Sequence, residues 1–417
     1  MRESRIRLLA LYAQYTSRLS YNDDWLDAFR NYPGFASTAV NIVTAEPGAL
    51  RSATKNSDAI VLLHSTNGDT TDYLEPFVSV LADRRVPLLS FVGNEVNLPG
   101  SPISAKRRIF GKIRPDWIAT QLLEEAGRFL FGDVAEKSVV AIPHALNPDV
   151  FRTTRGIDQR SIDLGVRLSR YLPHLGDDDR NRLADAFARL GAQGRLKVDI
   201  SNARLDRSGW SEFLNQCRGT IATESGSWFL ERDDATVDAI RAFVRDKSGR
   251  GLVIANDSPL RKLGHKLPWR ARMILRRMLR SGPVRHEALV NEQISFDDVH
   301  RRFFAGRERA PVYGKCISSR HFDAIGTRTC QIMFRGRFND ILEADRHYLA
   351  LEDDFSNLDD VLRRLSDLTV RRGIVEEAYA HVTSAHTYAH RMRRVAEILA
   401  GAPDMNSQGA QTESASR

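Results

Sequence analysis

Apolar positions in the first 150 residues come as short runs separated by amphipathic stretches. Residues 6–13, 38–43, 59–63, 87–92, 117–120 and 139–142 are the runs. Apolar runs of this length, bounded by turn residues, read as strands buried on both faces. Between them, 21–31, 72–82 and 122–131 carry helical spacing, with Trp25, Leu26 and Phe29 on one side of the first. Asn22 or Asp23 suits its N-cap. Strands alternating with helices imply βαβ units and a parallel sheet covered on both faces. Such sheets bind ligands beyond the carboxyl ends of their strands. His64, Glu95 and His144 all fall at or just past strand ends, so they are expected to look into one cleft.

A polar connection at 149–159 then interrupts the pattern, and a second alternation follows. Its strands are expected at 162–168, 196–200, 220–222, 330–334 and 348–351. Its helices are expected at 178–190, 210–217, 358–366 and 373–399, the last one a candidate to cross back to the first domain. Asp177, Asp178 and Asp179 read as the cap and first turn of a helix rather than a metal motif. The predicted fold is α/β, with two Rossmann-like domains facing a cleft, 1–150 and 160–400. An insertion at 231–313 interrupts the second. The tail, 402–417, is almost free of apolar residues and is expected to be disordered.

The stretch CISSRHFDAIGTRTCQI, 316–332, joins a short helix to a strand. Ser318 or Ser319 suits the N-cap, and Phe322, Ala324 and Ile325 supply an apolar side. Gly326 is expected to stop the helix in a left-handed conformation. A helix N-terminus at the edge of a sheet attracts phosphate. Asp323, expected in the first turn, can reach a ribose hydroxyl or simply favour the helix dipole.

RHFDAIGT resembles the late helix of GT-B glycosyltransferases, in which an acidic residue, an alanine and a Gly-Thr step contact a nucleotide-sugar donor. Four further stretches narrow the resemblance to the CgeB-like group: GNE at 93–95, IPHALNP at 142–148, DLGVRLSRYLPHLGDDDR at 163–180 and VEEAYAHVTSAHTYAHR at 375–391. The resemblance implies a metal-independent transferase with no cofactor. It would move sugar from a UDP- or GDP-linked donor to a glycan, lipid-linked or protein acceptor. It implies donor contacts from Ser319, Arg320, His321, Asp323, Gly326 and Thr327, and from Arg167 and Arg170 at the diphosphate, where arginine binds bidentately. Glu224, Ser225 and Gly226 resemble the donor loop, whose backbone amides can nest around phosphate. His64 and Glu95 are the general-base candidates, since the acceptor hydroxyl must lose a proton as it attacks. His144 is a hinge or donor contact. The family's closely spaced glutamate pair is absent, because the insertion separates Glu224 from Asp323. That absence supports the alternative of a non-catalytic nucleotide-sugar or glycan-binding protein on the same scaffold.

Composition changes the picture at one place. Net charge is +8, yet residues 259–285 hold nine Lys or Arg and no acid. The rest is close to neutral, and no aromatic stacking platform accompanies the basic segment, which argues against nucleic-acid binding. Within it, 267–280 reads as a cationic amphipathic helix that either docks on an anionic membrane surface or anionic acceptor, or packs its apolar side on the second domain with its arginines facing water. No apolar run reaches the roughly 20 residues of a membrane span. The opening segment reads as a strand rather than a secretory leader, and three unpaired cysteines imply a cytoplasmic setting, with attachment at the inner membrane face through 267–280. No metal spacing, Walker loop or serine nucleophile elbow is present.

Overall fold

The computed structural model describes residues 5–14, 20–247, 252–254, 284–286 and 294–401. The expected basic helix at 267–280 and the tail at 402–417 lie outside them. The first six strands are β1 (Ile6–Tyr12), β2 (Phe35–Asn41), β3 (Ala59–Leu62), β4 (Leu88–Phe91), β5 (Trp117–Thr120) and β6 (Ser138–Ala141). They form one parallel sheet in the order β2-β1-β3-β4-β5-β6. Next come β7 (Ile162–Arg167), β8 (Val198–Ser201), β9 (Cys217–Ala222), β10 (Ser225–Gly226), β11 (Leu252–Ile254), β12 (Val284–His286), β13 (Lys315–Cys316), β14 (Cys330–Phe334) and β15 (Leu349–Leu351). A second parallel sheet runs β15-β14-β9-β7-β8. The α/β class with two Rossmann-like sheets is therefore present.

Each sheet is apolar on both faces, as continuous apolar runs require. On the first, Leu9, Leu11, Ile60 and Leu62 pack with Phe77, Ile109 and Phe110, while Leu8, Val61, Leu89 and Phe91 pack with Trp25 and Phe29. On the second, Met333 and Ala350 face Phe322 and Val382, while Ile332 and Leu349 face Phe187 and Ile374.

The expected closing helix at 373–399 is two helices, Leu368–Ala385 and Tyr388–Leu399. Thr387 starts the second through a capping box with His390. The break lets Tyr388, Met392, Val395 and Ile398 pack on the first sheet. The chain thus returns to the domain where it began.

Other expectations need correction. The expected helix at 72–82 is a 3₁₀ turn at Glu75–Phe77 followed by Val78–Ala82. Pro76 lacks the N–H that a helix interior needs. Two helices were not expected, Pro47–Lys55 and Ile103–Ile113. The second hides its inward face because Lys106 takes a buried position there.

The insertion touches both domains. Its helices Ala235–Lys247 and Phe296–Phe303 pack through Ile240, Val244, Val299 and Phe304. Its first residues dock on the first domain. Asn97 pairs with the Glu231 amide at 3.1 Å and the Asp233 carbonyl at 2.6 Å. Asp234 accepts from the amides of Ile103 and Ser104 at 3.0 Å, capping that helix from outside its own domain.

Candidate active site

The helix Ser319–Gly326 opens beyond the carboxyl ends of β7 and β9. Ser318 is its N-cap, in a capping box where His321 Nδ1 accepts the Ser318 amide at 3.0 Å. Burial holds His321 down at about 4, so the ring is neutral and free to accept. Gly326 does not stop the helix in a left-handed turn; the helix includes it, and Thr327 is the C-cap. A Cβ on Gly326 would lie 2.3 Å from the Phe151 carbonyl oxygen, so the glycine serves close packing. Thr327 is buried and turns its hydroxyl back to the Asp323 carbonyl.

A cavity lies at this helix start, lined by Val166, Leu168, Arg180, Trp210, Thr223, Ser318 and Arg320, among others. Its charged lining is two arginines and no carboxylate. Arg180 stacks on Tyr171 at 3.9 Å and donates to its hydroxyl at 3.0 Å. Arg320 lies beside Trp210, 5.7 Å from the ring centre, and donates to the Arg167 carbonyl. Two cations, a helix N-terminus and an indole together suit an anionic group joined to a flat ring.

The arginines expected at the diphosphate are engaged elsewhere. Arg167 grips Asp199 at 2.7 and 2.9 Å and stacks on Phe213 at 3.8 Å. Arg170 is paired with Asp185 at 2.6 and 2.8 Å on the surface. Arg180 was read from sequence only as a helix residue. Asp323 lies in the second turn rather than the first, and its Oδ2 accepts Trp210 Nε1 at 3.0 Å. Burial raises this acid well above the usual range, and negative Asp24 adds to the shift.

Asp24 comes from the first domain, in the helix Ser20–Asn31. It accepts from Asn147 at 2.7 Å and pairs with Arg207 at 2.9 Å. Arg207 also reaches Asp27 at 2.7 Å, so one second-domain arginine clamps two first-domain carboxylates. Burial still lifts Asp24 to about 6. No sequence spacing links 24, 207 and 323; only the fold does.

The expected donor loop is a ladder rather than a phosphate nest. Ser225 and Gly226 pair antiparallel with Cys316 and Lys315. Gly226 has φ +116°, and a Cβ there would meet the Gly314 carbonyl at 2.2 Å. Glu224 accepts from Tyr313 Oη at 2.5 Å and from the Phe338 amide at 2.7 Å, and burial raises its pKa. Asp177 and Asp179 also do more than start a helix: both pair with the buried Lys315.

The three first-domain candidates separate. His64 and His144 stack 5.4 Å apart, with Trp25 5.0 Å from His64. Trp25 Nε1 donates to His144 Nδ1 at 3.1 Å. Burial holds His64 well below its ordinary value and His144 at about 3, so both are neutral core rings. Glu95 differs. Its Oε2 accepts the Gln121 amide at 2.8 Å, while buried Oε1 has no hydrogen-bond partner. Burial lifts Glu95 to about 7, against nearby Lys106, which burial lowers to about 7. Lys106 Nζ donates to the carbonyls of Gly93 and Asn94 at 2.7 and 2.5 Å and so fixes the loop carrying Glu95. The second domain touches this loop's neighbour, with Asn339 donating to the Gln121 carbonyl at 2.9 Å.

Among the described residues, no group of three His, Cys, Asp or Glu is placed to hold a metal ion. None of the described helices is long and apolar enough to cross a membrane.

A family model described as "Glycosyl transferase-like" matches residues 232–397, the stretch that contains the Ser319–Gly326 helix. Among solved structures, the chain is similar to Anabaena Alr3699/HepE in complex with UDP and glucose, at 11% identity and TM-score 0.49, covering 95% of this chain and 100% of that one. It is similar to a glycosyltransferase from Rickettsia africae at 10% identity and TM-score 0.46, covering 95% and 98%. Sucrose-phosphate synthase from Thermosynechococcus elongatus matches at 12% identity and TM-score 0.45, covering 95% and 100%. No curated protein matches the chain.

Proposed function

We propose that this chain is a glycosyltransferase that binds a nucleotide-sugar in the second domain and passes the sugar to an acceptor held from the first. The observation that carries the reading is the Arg180–Arg320 cavity at the start of the Ser319–Gly326 helix. The family match over 232–397, which takes in this helix and Arg320 but not Arg180 or Trp210, supports it. The diphosphate of a UDP- or GDP-sugar sits between the two guanidinium groups, and Trp210 offers its face to the base or ribose. As the glycosidic bond to the diphosphate breaks, charge grows on the leaving oxygen. Fixed arginines and helix amides stabilise that charge without a metal ion. Glu95 is the acceptor-side base: its free oxygen and raised pKa suit a carboxylate that takes a hydroxyl proton near neutral pH. The acceptor is a glycan, a lipid-linked sugar or a protein.

One observation favours a binding protein instead. Glu224 and Asp323, the two acids expected at the donor, are both engaged by neighbours. Turnover separates the two readings. Incubation with UDP- and GDP-sugars, with release of the nucleotide diphosphate followed over hours, yields product from a transferase even by slow hydrolysis. Tight binding with no release under any condition leaves the binding protein.

A further inference from the structure

One short helix meets three parts of the molecule. Arg207–Gln216 starts at Asp206, whose side chain accepts the Gly209 amide at 2.8 Å. In its first turn, Arg207 reaches out of the second domain. One nitrogen, Nη1, donates to Asp24 at 2.9 Å and to Asp27 at 2.7 Å, both on the first-domain helix Ser20–Asn31. One turn further along, Trp210 lines the cavity that Arg180 and Arg320 border. Its Nε1 donates to Asp323, and Arg320 lies beside its ring. The rest of the helix grips the connection between the domains. Ser211 donates to the Val150 carbonyl at 2.9 Å, while Asn215 accepts the Thr154 amide at 2.8 Å and donates to the Arg152 carbonyl at 3.0 Å.

These contacts make a short lever. Arg207 and Trp210 are neighbours on one helix face. A packed helix shifts as a unit, so a displacement at Arg207 is passed to Trp210. The clamp is also sheltered. The Asp24 side chain is 3% exposed, so its pairing with Arg207 is screened less than a surface pair. Charge reaches across as well. Burial raises Asp323, the partner of Trp210, and the negative charge of Asp24 raises it further. Every residue lining the cavity belongs to the second domain, and the first domain reaches it through this link. The indole is therefore fixed from two sides, by Asp323 in its own domain and by the first domain through Arg207.

We propose that Arg207 is a positioning residue: its hold on Asp24 and Asp27 sets Trp210, so that the seating of one domain on the other tunes how tightly the cavity holds its ligand. That the ligand is a nucleotide rests on the reading given above; the link from Asp27 through Arg207 to Trp210 does not. The coupling is reciprocal, so a bound nucleotide tightens the clamp by the same factor.

The test labels the full chain with fluorotryptophan, and Trp210→Phe assigns the Trp210 fluorine resonance. Wild type, Asp27→Ala, Arg207→Ala, Arg207→Lys and the Asp27→Ala/Arg207→Ala double variant are compared by fluorine NMR. Calorimetry with UDP and GDP accompanies it, and melting temperature checks folding. Asp27 is the informative position. It is 39% exposed and lies in the other domain, so its loss removes no cavity contact. Loss of its negative charge would by itself favour an anion. The proposal expects the opposite: Asp27→Ala shifts the Trp210 resonance and weakens nucleotide binding roughly fivefold or more. Arg207→Lys stays within twofold of wild type, since one ammonium can meet both carboxylates as Nη1 does. In the double variant, losing Asp27 adds nothing to the loss of Arg207. Folded Asp27→Ala with the resonance and affinity of wild type overturns the proposal, whatever Arg207→Ala does. Wild type that binds neither nucleotide defeats the donor reading, and the resonance in Asp27→Ala then decides the link alone.

Discussion

At the residue scale the predictions turn on one carboxyl group, that of Glu95. Glu95 has its folded pKa raised to about 7, above the ordinary glutamate value of 4.5. If Glu95 is the base, turnover rises with pH through about 7 as the carboxylate forms, and Glu95→Gln abolishes that limb. A pH–rate profile of nucleotide-sugar consumption checks this. The same shift has a stability consequence of known sign. A raised acid favours folding most below its unfolded pKa, and that contribution fades as pH climbs through the folded one. The melting temperature of wild type relative to Glu95→Gln should therefore fall between about pH 4.5 and 7. A constant difference across that window would contradict the buried, protonated state. Neither property was legible in the sequence. Glu95 could be placed at a strand end, but its burial depends on Gln121, Lys106 and the second domain. His64 and His144 stood at strand ends too, and their aromatic neighbours come from positions 25 and 91.

At the scale of elements, apolar runs located the strands well because a strand buried on both faces leaves an unbroken signal. The helix Ile103–Ile113 escaped because Lys106 faces inward, its amine satisfied by two carbonyls, so the apolar spacing is broken. The Ser319–Gly326 helix was legible from its cap and apolar side, yet Gly326 was misread. Its role is contact with Phe151, a residue from the connection between domains. Gly326→Ala should cost about 1–3 kcal/mol, since the added carbon meets backbone. Gly373→Ala is the contrasting change: nothing lies within 4 Å of its Cβ, and it sits inside the Leu368–Ala385 helix. That substitution should gain about 0.5–1 kcal/mol from helix propensity. Chemical denaturation of both variants checks the pair, and similar effects would contradict the packing account.

At the scale of the molecule, the domains are joined by Arg207 on Asp24 and Asp27, by the crossing of the last helix, and by the start of the insertion on the first domain. The two sheets were legible from the sequence. These ties were not, because each joins residues far apart in the chain. The basic segment at 267–280 lies outside the described residues, and its docking on an anionic membrane remains a proposal. Vesicle co-sedimentation tests it: wild type should pellet with anionic but not neutral vesicles, and a variant with Arg272, Arg276, Arg277 and Arg280 changed to Glu should stay in solution. Equal behaviour with both vesicle types would remove the membrane from the account. The central claim is that a nucleotide diphosphate sits between Arg180 and Arg320, and calorimetry with UDP and GDP tests it most directly. Each lost charge-assisted contact should weaken binding by about 1.5–3 kcal/mol in Arg180→Ala and Arg320→Ala. Arg170→Ala should bind as wild type, because that side chain is held by Asp185 on the surface. Unchanged affinity in folded Arg180→Ala and Arg320→Ala, or an equal loss from Arg170→Ala, would contradict it.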